Sequence, residues 1–234
     1  MSRHFEEQLE KLRTRVIKMS SLVDEQVEFA IRAIEEESPE IARLVVERDR
    51  KVDNYDLKID KICQKIFALN QPVAMDLRLI MSSMTINGNL ERIGDIAANI
   101  ASNFLHLGAK KPVFFDRIKF REMAVIAKEM IKGAIDSYID KEPKLAQRVI
   151  ESDDRLDLLN RENHQLIIDI MKESPDNIEA AVSFLVACRN LERLGDHATN
   201  IAEDVYFITE AQVIKHNYEK FLMNQESEDE SDQD

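Results

Sequence analysis

The second half of this sequence repeats the first, and this repeat constrains the fold more than any other feature. Residues 89–101 have the sequence NLERIGDIAANIA, and residues 190–202 have the sequence NLERLGDHATNIA. Pro72 and Pro175 correspond at nearly the same spacing. A unit that recurs at a fixed period is a supersecondary structure built more than once. The chain of 234 residues is therefore expected to form two similar units, each of roughly a hundred residues, a common domain size.

Each unit is expected to be helical. The chain has 5 Gly, 5 Pro and no Trp, and its apolar residues recur at alternating intervals of three and four. Prolines lie where one helix would end and the next begin, because proline is favoured in the first turn of a helix. The pattern predicts six helices, at 4–37, 40–69, 72–107, 115–141, 143–173 and 176–223.

These helices predict an all-α fold of two tandem three-helix bundles related by internal duplication. The expected boundaries are 1–108 for the first bundle, 109–223 for the second and 224–234 for a disordered acidic tail. Gly108 is the expected stop of the third helix. Two apolar stripes are expected inside the first bundle, formed by Val45, Val52, Tyr55, Ile59, Ile62, Ile66 and Leu69, and by Leu79, Ile86, Leu90, Ile93, Ala97, Ile100 and Phe104. Cys63 and Cys188 are expected to be small core residues.

The charge and the apolar runs exclude several classes of function. A formal net charge of −13 argues against nucleic-acid binding, which depends on neutralising phosphates. It also argues against direct docking on an anionic membrane. The N-terminus has no apolar signal region, and no stretch approaches the roughly 20 apolar residues that a transmembrane segment needs. The expected location is the cytoplasm.

Carboxylates four residues apart form the strongest chemical pattern. Such residues lie on one face of a helix, where two like charges repel each other and a bound cation would remove the repulsion. The third helix of each unit carries one pair, and the second helix carries another. Antiparallel packing of these two helices places both pairs at the same level, outside the apolar stripe. The predicted metal ligands are Asp49, Asp53, Glu91 and Asp95 in the first half, and Asp153, Asp157, Glu192 and Asp196 in the second.

The residue types favour some ligands over others. Carboxylate oxygens suit hard cations such as Mg²⁺, Ca²⁺, Mn²⁺ and Fe³⁺, whereas Zn²⁺ usually favours His or Cys. Nearby arginines could instead neutralise the acids through ordinary surface ion pairs. Gly94 and Gly195 lie between the acids of each pair on the third and sixth helices. Because a helical glycine costs about 1 kcal/mol relative to alanine, we expect a close approach there by a neighbouring helix or a ligand.

The two LERxGD segments, together with QPVAMDLR at 71–78, resemble the PhoU family of bacterial phosphate-signalling accessory proteins. The resemblance covers roughly residues 4 to 215. It implies a non-enzymatic negative regulator of the phosphate-starvation response and of phosphate uptake. The implied partners are the ATPase subunit of the phosphate ABC transporter and a membrane sensor histidine kinase, so the protein would be peripheral to the inner membrane through them. Iron or zinc clusters on the eight acids are also implied.

The resemblance does not settle the roles of the remaining motif residues, the assembly of the protein or its class of function. Asn99 and Asn200 match an asparagine of the family motif and are candidates for positions behind the ligands. His197 turns off the acid face and is expected to be a contact residue, not a ligand. A homodimer is the expected assembly for a protein of such long helices. The competing hypotheses are a di-metal enzyme, disfavoured because Glu-x-x-His is absent from the LERxGD motif, and a scaffold whose acids are only solvated charge.

Overall fold

The computed structural model describes residues 3–214, which form six long helices. The helices are α1 (Arg3–Glu35), α2 (Pro39–Leu69), α3 (Ala74–His106), α4 (Phe120–Asp140), α5 (Pro143–Glu173) and α6 (Ile178–Glu210). Single turns of 3₁₀ helix at Phe115–Arg117 and Pro175–Asn177 precede α4 and α6. The all-α prediction and the six-helix count are confirmed for the described part of the chain.

Proline lies in the first turn of α2 and of α5, as the sequence predicted, and in each helix the preceding side chain forms the cap. Ser38 caps α2 by accepting a hydrogen bond from the backbone N–H of Ile41, and Pro39 occupies the first turn. Glu142 caps α5 ahead of Pro143 in the same way. Gly108 follows the end of α3 with φ of 80°, a left-handed conformation that glycine adopts without a steric penalty.

Several helix boundaries differ from the predictions. Helix α1 ends at Glu35 and not at residue 37, and α6 begins at Ile178 and not at residue 176. Helix α3 begins at Ala74 and not at residue 72, and α4 begins at Phe120 because residues 115–117 form the separate 3₁₀ turn. Helix α6 ends at Glu210, where Ala211 takes a left-handed conformation with φ of 60°. Residues 211–214 are not helical, so the predicted continuation to residue 223 is wrong at this point. Residues 215–223 and the predicted acidic tail at 224–234 lie outside the described residues.

Helices α1, α2 and α3 pack against one another, and so do α4, α5 and α6. The two bundles join mainly through α3 and α6, which pack along each other at the centre, while α1 and α4 meet over a smaller area. One continuous apolar core runs through both bundles. Ten of the 14 residues of the two predicted stripes lie in this core. Tyr55, Ile62 and Leu79 are only partly buried, and Leu69, at the last turn of α2, is 64% exposed.

Both cysteines lie in this core, as predicted. Burial raises the pKa of each thiol to about 12, so the reactive thiolate is strongly disfavoured. No helix in the part of the chain that the structure describes combines the length and apolarity required to cross a bilayer.

Candidate metal centre

The first acidic face consists of Asp49 and Asp53 on α2 and Glu91 and Asp95 on α3. One carboxylate oxygen from each of Asp49, Asp53 and Asp95 lies within 4.8 Å of the other two. Glu91 lies beside this group without joining it, and the negative charge of Asp95 contributes to raising its pKa, after burial. The structure therefore brings together three of the four acids predicted for this half.

The second acidic face consists of Asp153 and Asp157 on α5 and Glu192 and Asp196 on α6. Here Asp157, Glu192 and Asp196 form the close group, again with one carboxylate oxygen of each within 4.8 Å of the others. Asp153 is the acid that stays outside. The same motif thus produces two carboxylate groups of three, but with different members.

Both faces lie at the surface of the bundles, as their position off the apolar stripe predicted. Asp53 and Asp196 are exposed, and the other six acids are intermediate in exposure. An ion bound at either face would therefore keep access to water on one side.

The motif glycines allow the two acid-bearing helices of each bundle to come together. A methyl group added at Gly94 would lie 3.1 Å from a methyl carbon of Val52 on α2. One added at Gly195 would lie 2.5 Å from a methyl carbon of Leu156 on α5. Side-chain packing between helices therefore explains both glycines, one of the two explanations that the sequence allowed.

At both faces, burial and mutual repulsion disfavour the simultaneous ionisation of all the carboxylates. Burial, followed by the negative charges of Asp196 and Asp157, raises the pKa of Asp153 to about 6. Burial also raises the pKa of Asp49, Glu192 and Asp196, with further contributions from neighbouring carboxylates. Crowded carboxylates with raised pKa values are the groups that a bound cation stabilises most.

Surface ion pairs neutralise only part of this charge. Arg92 Nη1 donates a hydrogen bond of 3.2 Å to Asp95 Oδ2, and its Nε lies 3.5 Å from Glu91 Oε2. The Arg92 side chain is 60% exposed, so these pairs contribute little to stability. In the second face Arg189 Nε lies 3.3 Å from Glu192 Oε2. That oxygen is buried, and among the described residues it finds no hydrogen-bond donor.

The donor set fits a hard cation at both faces. Each close group offers three carboxylate oxygens, the donor type that hard cations prefer. The residues that would hold an ion are Asp49, Asp53 and Asp95 at one face and Asp157, Glu192 and Asp196 at the other. Glu91 and Asp153 lie beside these groups.

Several residues at the first face were not found from the sequence. Gln26 of α1 is fully buried, and its Nε2 donates to Asp49 Oδ1 at 3.1 Å and to the carbonyl oxygen of Gly94 at 3.2 Å. The side chain of Asn87 on α3 donates to Asp56 Oδ1 at 2.7 Å and to Asp60 Oδ1 at 3.2 Å, both on α2. A glutamine at a position that continues the apolar stripe of α1 was the signal that could have identified Gln26.

The other motif residues considered in the sequence analysis, His197, Asn99 and Asn200, lie at different places relative to the acids. His197 Nδ1 lies 2.9 Å from Asn89 Oδ1, so it joins α6 to α3 across the two halves and is a contact residue as expected. Asn99 is exposed and Asn200 is half-buried, one turn beyond Asp95 and Asp196.

Fold and site together define a class of protein: a tandem pair of three-helix bundles, each with an acidic face shared by its second and third helices. The PhoU domain model matches residues 16–104 and 120–205, one match in each bundle. The phosphate-specific transport system accessory protein PhoU homolog of Aquifex aeolicus is 35% identical over 213 residues, covering 91% of this chain and 96% of that protein. PhoU homolog 1 of Thermotoga maritima is 30% identical over 224 residues, covering 96% and 95%.

Solved structures agree. The crystal structure of PhoU from Pseudomonas aeruginosa matches with a TM-score of 0.85 and 31% identity, covering 89% of this chain and all of that one. PhoU from Streptococcus pneumoniae shares the fold, with a TM-score of 0.81 and 24% identity over 90% of this chain and 99% of that one. The chain belongs to the PhoU family, which confirms the resemblance inferred from the LERxGD repeats.

Proposed function

We propose that this protein is a negative regulator of phosphate uptake and of the phosphate-starvation response. The observation that carries the proposal is membership of the PhoU family along nearly the full chain. Relatives that match over most of both chains are named accessory proteins of the phosphate-specific transport system. An accessory role also suits a structure that carries two acidic faces at its surface.

The proposed mechanism is that of an adaptor. It contacts the ATPase subunit of the phosphate ABC transporter and a sensor histidine kinase, and it changes these contacts with phosphate supply. We place it in the cytoplasm, at the inner membrane only through these partners. A net charge of −13 favours partners that present basic surfaces, because complementary charge speeds and orients association. A homodimer is part of this proposal.

The acidic faces are proposed as cation sites that support the adaptor surface. Iron or zinc is the expected metal from the family resemblance, while the all-oxygen donor set also suits Mg²⁺, Mn²⁺ or Ca²⁺. A bound ion would cancel repulsion between acids on two neighbouring helices. It would thereby fix the spacing of α2 from α3 and of α5 from α6.

Affinity capture at controlled phosphate tests the adaptor role. Tagged protein is recovered from cells grown at high and at limiting phosphate, and the ATPase subunit and the kinase are quantified in each sample. The proposal expects both partners, in amounts that change with phosphate. Absence of both at every phosphate concentration, while the tagged protein stays folded and abundant, would refute the adaptor role.

Elemental analysis tests the metal proposal separately. Wild-type protein is compared with Asp53→Asn/Asp95→Asn and with Asp157→Asn/Asp196→Asn, each of which removes two acids from one close group. We expect each variant to lose the metal of one face only. Equal metal content in all three proteins would rule out these faces as the sites, and it would leave the adaptor role standing.

A further inference from the structure

We propose that Gln26 is a positioning residue that holds Asp49 in the carboxylate group of the first acidic face, and that this makes the two faces unequal as cation sites. The inference rests on the cation binding proposed above and extends it to a residue outside the acid motif.

Gln26 connects the two structural features of the first face. Its Nε2 donates both to Asp49 Oδ1, at 3.1 Å, and to the backbone carbonyl of Gly94, at 3.2 Å. The side chain is fully buried, so its orientation is set by packing in the bundle. One hydrogen-bond donor therefore fixes the Asp49 carboxylate relative to the motif glycine on α3 and leaves the second oxygen of Asp49 for an ion.

The second half replaces this donor with an apolar side chain. The spacing of 104 residues that relates Asp49 to Asp153 also relates Gln26 to Met130. The structure supports the pairing, because the sulfur of Met130 would lie 3.4 Å from a methyl group added at Gly195, the counterpart of Gly94. Met130 is buried and has no N–H to donate. Asp153 therefore lacks the amide donor that orients Asp49, and the hydroxyl of Thr199 on α6 lies beside it instead.

The acids that form the close group at each face differ in a way that matches the exchange of Gln26 for Met130. Asp49 belongs to the group of three at the first face, whereas its counterpart Asp153 is left out at the second. There Glu192 takes the third place. Residues behind metal ligands commonly change affinity by roughly 10–100-fold when they are replaced. Gln26 has the geometry for such an effect, and Met130 does not.

A reciprocal exchange tests the inference. Gln26→Met copies the second half into the first, and Met130→Gln does the opposite. Each change is made in protein whose other face is silenced, by Asp157→Asn/Asp196→Asn or by Asp53→Asn/Asp95→Asn, so that one face is titrated at a time. Calorimetric titrations use Zn²⁺ alone and Mn²⁺ alone, and thermal unfolding of the metal-free proteins reports folding.

We expect Gln26→Met to weaken binding at the first face by roughly 10–100-fold. It should leave the melting temperature nearly unchanged, since Gln26 Oε1 is buried and accepts no hydrogen bond from the described residues. Gln26→Met introduced alone should leave binding at the second face as it was. An unchanged affinity at the first face, or an equal loss at both faces together with a lower melting temperature, would overturn the inference.

A crystallographic arm separates this inference from the metal proposal. In metal-free Gln26→Met protein the Asp49 carboxylate should leave the group of three, and in Met130→Gln protein the Asp153 carboxylate should move toward Asp157 and Asp196. If wild-type protein binds neither ion but these rearrangements occur, cation binding fails and the positioning role of Gln26 stands. If Asp49 stays in place without Gln26, the positioning role fails.

Discussion

Replacement of Gly195 by alanine tests whether close packing of α5 against α6 builds the second acidic face. The added methyl group would lie 2.5 Å from a methyl carbon of Leu156 and 3.4 Å from the sulfur and terminal carbon of Met130. Leu156 is fully buried, so it cannot swing into solvent to relieve the contact. Overpacking of a well-filled core costs about 1–3 kcal/mol, and alanine recovers about 1 kcal/mol of helix propensity. The expected net loss is about 1 kcal/mol.

Gly88 provides a matched control on α3. A methyl group added there meets no heavy atom within 4 Å, so Gly88→Ala should gain the same helix propensity without the packing cost. The difference in unfolding free energy between the two variants then equals the packing cost, about 1–3 kcal/mol. For a protein of this size each kcal/mol shifts the melting temperature by roughly 2–4 °C. Gly94→Ala, with its closest contact at 3.1 Å, should fall between them.

Urea unfolding of the metal-free proteins by linear extrapolation measures these differences. Zn²⁺ titration gives a second readout, because an α5 helix pushed away from α6 separates Asp157 from Glu192 and Asp196. Gly195→Ala should therefore weaken binding at the second face and leave the first face unaffected. A Gly195→Ala protein as stable as Gly88→Ala, with unchanged Zn²⁺ affinity, would refute the packing argument.

Two further predictions concern single side chains. The folded-state pKa of Asp153, about 6, is above its ordinary value of 3.8, so folded protein binds the proton more tightly than unfolded protein. The stability of metal-free protein should therefore rise as the pH falls from about 6 toward 3.8. Above pH 6 the Asp153→Asn variant should be more stable than wild type, and this difference should disappear as the pH falls from about 6 to 3.8. Urea unfolding at a series of pH values measures both effects. Asn163 is fully buried, and its Oδ1 accepts a 3.0 Å hydrogen bond from the backbone N–H of Lys119 at the start of α4. Asn163→Ala should cost about 1–3 kcal/mol by the same assay.

Each of these two predictions would be contradicted by a specific result. An advantage of Asp153→Asn that is the same at pH 8 and pH 4 would show that the Asp153 carboxylate is not destabilised by its surroundings. An Asn163→Ala protein as stable as wild type would show that the Lys119 N–H finds another acceptor once the amide is gone.

The parts of the fold set by local chemistry could be predicted from the sequence. Proline with a preceding cap fixes where α2 and α5 begin, and Gly108 fixes where α3 ends. The end of α6 could not be found this way, because residues around Ala211 contain neither glycine nor proline. The helix ends there through the left-handed conformation of Ala211, while Ile214 is buried in the core. That ending depends on tertiary contacts, which helical periodicity does not contain.

The acidic faces, too, could be predicted from the sequence only in part. Spacing by four and antiparallel packing placed all eight carboxylates on the two faces. Which three acids meet in each group depends on side-chain orientation, and Gln26 influences this from a position that the spacing of acids does not mark. Asn163 is a further case, since it corresponds to the buried Ile59 in the repeat and yet is a buried polar residue whose partners include Cys188 at 2.8 Å.

The central claim is that both acidic faces are cation sites. The most direct test is anomalous diffraction from crystals of the wild-type protein grown with Zn²⁺ or Mn²⁺, with data collected above and below the absorption edge of the metal. Anomalous peaks are expected at two places, among Asp49, Asp53 and Asp95 and among Asp157, Glu192 and Asp196. Crystals with saturating metal and no anomalous density at either place would contradict it.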